Sequence, residues 1–165
     1  MSLDLDRFNA LAGDEAVALL LPCCGSRAWA RRLAASRPFQ DLAGLQKKSD
    51  EIWRGLGGED WREAFAAHPR IGENGSRWSG AEQAGVRDAD AETRAELVAA
   101  NREYEARFAH LFIVCATGKT AAEMLSLLRH RLDNDPAIEL LIAAEEQRKI
   151  TNLRLEKFFL KGINP

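Results

Sequence analysis

An all-α fold is predicted by three features of the chain. Apolar residues recur at helical spacing along most of its length. Cap residues, prolines and glycines punctuate that pattern at short intervals. Only one run, Leu111–Ala116 (LFIVCA), is continuously apolar in the manner of a strand, and one strand cannot make a sheet. That run reads as an extended, buried connector. The expectation is a single domain over residues 1–165, a bundle of about eight or nine helices with this one connector.

In chain order, LDLDRFNAL is a short first helix, and DEAVALLLP is a second, stopped by Pro22. SRAWARRLAASRPF is a third, with Ser26 as N-cap, Trp29 and Leu33 four apart on one face, and Pro38 as its end. DLAGLQKKSDEIWRGL is a fourth, stopped by Gly57 and Gly58. EDWREAFAAH is a fifth; His68 precedes Pro69, and a residue before proline disfavours helix. The irregular PRIGENGSRW follows, then Ser79 to Glu82 opens a short sixth helix. A long seventh runs from about Asp90 to Phe108. Thr120-Ala-Ala-Glu123 is a capping box for an eighth. Asp135-Pro136 places proline at the first turn of a long last helix.

Hydrophobic residues make up 46% and charged residues 29%, as in globular proteins that bury a core. The net charge of −2 supplies no field for nucleic acid or an anionic membrane. Cys23 and Cys24 are adjacent and Cys115 is remote, which suits neither a disulfide framework nor a zinc site. The expected setting is a reducing cytoplasm. MSLDLDRFNAL is not a secretory signal, no stretch approaches the ~20 apolar residues of a membrane span, and KGINP is not a peroxisomal address.

The stretch AFAAHPRIGENGSRWSGAEQAG is richer in acid–base and anion-binding groups than a connector needs. His68, at a helix C-terminus whose partial negative charge favours imidazolium, is placed to carry a proton near neutral pH or simply to cap free carbonyls. Ser79-Gly80-Ala81-Glu82-Gln83 is a capping box by spacing. The same first turn also presents free N–H groups and a Gln83 amide to the edge of a polar heterocycle. Ile150, Arg154 and Phe158 share one helical row, so a guanidinium interrupts an apolar strip. An ion pair, a snorkelling head and a clamp on a substrate carboxylate all fit Arg154. His130 reads as solvated, and His110 as lining whatever the LFIVCA run lines. Trp61 and Trp78 read as packing residues, and Arg70 and Arg77 as surface residues.

AHPRIGE, SRWSGAEQAGV, NREYEARFAHLFIVCATGK and KITNLRLEKF, with SRPF at 36–39, together resemble the OHCU (2-oxo-4-hydroxy-4-carboxy-5-ureidoimidazoline) decarboxylases of uric acid breakdown. The resemblance runs over nearly the whole chain, in order. It implies a cofactor-independent and metal-free carboxy-lyase, all-helical and often dimeric, that makes (S)-allantoin. The family's catalytic histidine falls on His68 and its neighbouring substrate contact on Pro69. Its Ser-x-x-Glu-Gln contacts fall on Ser79, Gly80, Ala81, Glu82 and Gln83. A backbone-lined segment falls on Phe112, Ile113, Val114, Cys115 and Ala116, and the C-terminal arginine falls on Arg154. The chain departs from many members at Arg70 and Trp78, which take no role from the family. Two other readings compete: a different ureide or purine-breakdown enzyme such as a hydrolase, and a non-catalytic helical interaction module.

Overall fold

Asp4 caps the first helix, its carboxylate accepting from the Arg7 N–H at 2.7 Å, and the same device recurs along the chain. The computed structural model describes residues 4–71, 84–87 and 89–160. Among the described residues the regular structure is all helical: α1 (Leu5–Ala10), α2 (Gly13–Leu20), α3 (Arg27–Ala35), α4 (Leu42–Arg54), α5 (Gly58–Ala66), α6 (Ala84–Arg87), α7 (Ala91–Phe108), α8 (Ala121–Arg131) and α9 (Pro136–Leu160). The all-α expectation is borne out. No helix among them is long and apolar enough to cross a membrane.

Several predicted punctuation marks are where the sequence placed them. The Ser26 hydroxyl accepts from the Trp29 N–H. Thr120 and Glu123 make the reciprocal capping box of α8. Asp135 accepts from the Ala137 N–H in the first turn of α9. The end of α4 differs. It stops at Arg54, where Gly55 donates back to the Glu51 carbonyl at 3.2 Å, before the Gly57-Gly58 pair. Gly58 opens α5 instead, and the Trp61 N–H starts its ladder on the Gly57 carbonyl.

The chain forms two compact units, one of residues 1–64 and 148–165, the other of residues 65–147. In the first, Phe8, Trp29, Leu33, Leu45 and Leu155 are wholly buried. Full burial stabilises by roughly 1.5–3 kcal/mol for each side chain of the Leu or Phe size. Phe8 meets Phe159 edge to face at 5.4 Å. The indole N–H of Trp29 donates to the Ser49 hydroxyl at 3.0 Å, so a large apolar ring enters the core without an orphaned donor. The Trp61 indole likewise donates to the Trp53 carbonyl, and its ring lies 6.2 Å from that of Trp53. Arg37 donates to the carbonyls of Phe8, Leu11 and Ala34, and the Asn9 side chain pairs with both backbone groups of Phe39. The SRPF segment is therefore a clasp for α1.

In the second unit α7 buries Leu97, Ala100, Asn101, Tyr104 and Phe108, a helical stripe. Leu97, Ala100, Tyr104 and Phe108 share a core with Val86, Phe112, Val114, Met124 and Leu128. The expected connector is present: residues 111–116 have no regular structure, and Phe112, Ile113 and Val114 are buried.

Candidate active site

His68 lies two residues beyond α5, and its backbone N–H closes the helix on the Phe65 carbonyl at 3.1 Å. Pro69 follows and cannot extend the helix. Arg70 then grips both oxygens of Glu105 on α7, at 2.9 and 3.2 Å. The half-buried imidazole is therefore held in a short turn anchored at both ends. Its Nε2 lies 2.5 Å from the amide oxygen of Gln147, a wholly buried residue of α9. The sequence reading missed Gln147. The signal was a polar residue on the buried side of α9, visible only once the helix face is known.

The residue before it, Glu146, accepts from the Cys115 N–H at 3.2 Å. Consecutive residues of α9 thus hold the histidine and the connector. Three further contacts fix the connector's backbone. Arg131 donates to the Ile113 carbonyl at 2.8 Å, the Lys119 ammonium to the Cys115 carbonyl at 2.7 Å, and the Lys119 N–H to the Ala116 carbonyl at 3.0 Å. The Arg131 guanidinium also lies over the Phe112 ring, 4.5 Å from its centroid.

Arg131 is itself buried, and its charge is met by Glu139, which accepts from its Nε at 2.7 Å. Tyr104 donates its hydroxyl to the same Glu139 oxygen at 2.5 Å, and Asn134 donates to the other at 2.9 Å. Burial first, and the bond to Glu139 second, push the Tyr104 phenol far above its ordinary range. Tyr104 stays a donor at any working pH. This network supports the connector from beneath. Residue spacing could not reveal it, because its members come from α7, α8, the loop after α8 and α9.

His110, expected beside the connector, packs among Phe65, Tyr104 and Phe108, with ring centroids 5.3, 5.6 and 6.2 Å away. His130 is exposed, as expected. Arg154 belongs to the other unit. It is 6% exposed, which rules out a head in water, and its Nη1 donates to the Pro22 carbonyl at 3.5 Å. Ile150 and Phe158, its row neighbours, are buried with it. In the same unit, burial pushes the Cys24 thiol up to about 11, against the opposing pull of the Ser26 backbone and the Thr151 side chain. Arg77, Trp78, Ser79, Gly80, Ala81, Glu82 and Gln83 lie outside the described residues. Gly85, just beyond them, sits so close to the Lys119 carbonyl that a Cβ would come within 2.2 Å. Only glycine allows α6 to pack there.

A family model described as OHCU decarboxylase matches residues 9–156. The uric acid degradation bifunctional protein TTL of Arabidopsis thaliana is 39% identical over 146 residues, 83% of this chain and 45% of that protein. The 2-oxo-4-hydroxy-4-carboxy-5-ureidoimidazoline decarboxylase of Amia calva is 40% identical over 74 residues, 45% of this chain and 42% of that protein. The aligned part of the chain spans less than half the length of each of these two curated relatives. Among solved structures, the crystal structure of an OHCU decarboxylase in the presence of (S)-allantoin is similar, with a TM-score of 0.78 and 38% identity. The match covers 84% of this chain and 95% of that one.

Proposed function

Because the chain belongs to the OHCU decarboxylase family, we propose that it removes CO2 from 2-oxo-4-hydroxy-4-carboxy-5-ureidoimidazoline and releases (S)-allantoin in uric acid breakdown. The observation that carries this reading is the extent of the family match. Residues 9–156 contain every residue assigned below.

The substrate brings its own electron sink. The pair left by the departing carboxylate passes into the adjacent ring C=N, so no pyridoxal, thiamine or metal is needed for that step. The ring nitrogen that receives the pair takes up one proton, a second reaches the ring carbon that carries the ureido group, and loss of the hydroxyl proton makes the ring carbonyl. One proton has replaced CO2. The protein must hold the carboxylate out of the ring plane, stabilise charge on the ring and protonate one face only. His68 carries the proton, with Glu82 polarising it or gripping the substrate hydroxyl. Pro69 packs beside the reacting carbon. The N–H groups of the turn Ser79-Gly80-Ala81 and the Gln83 amide bind the ureido and ring carbonyls. Backbone groups of Phe112, Ile113, Val114, Cys115 and Ala116 bind the opposite ring edge. Arg154 holds a substrate oxygen. A grip on the carboxylate itself would stabilise the ground state and slow the loss of neutral CO2.

In this reading residues 1–165 act as one functional domain, in the cytoplasm and as a homodimer, on a small ureidoimidazoline. Neither nucleic acid nor membrane is a partner. A coupled assay tests it. OHCU is generated in place from urate, and the circular dichroism of allantoin is followed. Rapid formation of one enantiomer, lost in His68→Asn, is the expected result. A drop of about 10²–10⁴-fold in kcat is the usual cost of losing a general acid–base. Racemic allantoin at the spontaneous rate would leave a fold without the activity. A His68→Asn variant holding more than roughly a tenth of kcat would make His68 a helix cap.

A further inference from the structure

We propose that Gln147 is a positioning residue that fixes the tautomer of His68, so that Nδ1, and not Nε2, exchanges the proton with the substrate. The inference rests on the reading of His68 as proton carrier and adds to it the nitrogen that does the work. The amide oxygen of Gln147 carries no hydrogen, so its 2.5 Å contact with Nε2 requires Nε2 to be the donor. A neutral imidazole with Nε2–H bears its lone pair on Nδ1. When the ring is charged both nitrogens carry hydrogen, and Nε2–H keeps the same acceptor. The proton that comes and goes is therefore the one on Nδ1.

The surroundings suit this assignment. Gln147 is wholly buried, so packing holds its amide in place against the ring. Its neighbour Glu146 is tied to the Cys115 N–H, and Arg70 to Glu105, so the α9 backbone and the turn after His68 are held at fixed points. The partner is a neutral amide. A carboxylate in its place would favour imidazolium by a full charge and oppose return of the proton. An amide orients the ring without adding a charge of its own.

The test uses the full chain with 15N-labelled histidine, the His68 signals being assigned by their absence in His68→Asn. The expected wild-type spectrum above the titration has Nε2 protonated and Nδ1 bare. Gln147→Met, of similar length but without an acceptor, is expected to mix the two tautomers. It should lower kcat at least about tenfold with a smaller change in KM, as a misplaced histidine tautomer does in hydrolytic triads. Gln147→Glu restores an acceptor and should restore the Nε2–H tautomer even where the methionine variant folds poorly. A wild-type spectrum with Nδ1–H, or wild-type kcat in Gln147→Met, overturns the proposal. Activity persisting in His68→Asn instead overturns the proton-carrier reading, and does so without any change at Gln147.

Discussion

Replacing Glu139 with alanine removes the anion at the centre of the network beneath the connector. The carboxylate is wholly buried and takes hydrogen bonds from Arg131 at 2.7 Å, Tyr104 at 2.5 Å and Asn134 at 2.9 Å. Without it, a guanidinium whose side chain is 8% exposed keeps the Ile113 carbonyl and two aromatic faces but has lost its counter-charge. Breaking one partner out of a buried ion pair costs about 3–5 kcal/mol. The orphaned Tyr104 hydroxyl belongs to the same network, so its penalty is contained in that figure and not added to it. Against a domain stability of roughly 5–15 kcal/mol, the loss is large. It corresponds to a drop in Tm of about 6–20 °C for a chain of this size. Urea unfolding followed by far-ultraviolet circular dichroism measures it, with the slope serving to check that the denatured state is unchanged. The double variant Arg131→Met with Glu139→Leu should recover part of the loss, because no charge is left buried. A cost below about 1 kcal/mol for Glu139→Ala, at unchanged slope, would refute the reasoning, since it would mean that the pair is readily replaced by solvent.

Gly85→Ala should destabilise by about 1–3 kcal/mol, because its Cβ meets backbone that cannot swing aside. An unchanged Tm would show that α6 moves freely. Hydrogen bonds from Arg27, side chain first, hold the Glu63 carboxyl below its ordinary 4.5. The stability this contributes is complete above that value and is lost as the pH falls through the lowered one. Urea midpoints of wild type and Glu63→Gln should therefore differ at neutral pH and converge in acid, and a gap that persists in acid contradicts the assignment. With Cys23 and Cys24 buried and the Cys24 thiol pushed up to about 11, Cys115 should react first with a thiol reagent at neutral pH. Two fast thiols in the native protein would contradict this order.

Local chemistry made much of this molecule legible in its sequence. Ser26, Thr120 with Glu123, and Asp135 before Pro136 each announce a helix start, since the groups that satisfy the first N–H donors lie within three residues. The row of Ile150, Arg154 and Phe158 and the apolar run at 111–116 were equally plain, because burial imposes a period. The end of α4 was not. Gly55 and the Gly57-Gly58 pair compete as stops, and local spacing does not rank them. His68 stood out through its place before Pro69. Its partner Gln147 did not, since 79 residues separate them and nothing local marks Gln147.

The sequence by itself determined the helical class, most of the caps, and which residue types are available for acid–base chemistry. The tertiary structure alone decided which of them meet. It set Gln147 against His68, Glu146 against the Cys115 N–H, and the Arg131–Glu139–Tyr104 network beneath Ile113. The physical reason is reach. Caps and periodicity act over a turn or two of chain, whereas buried polar groups must be satisfied by whatever packing brings beside them.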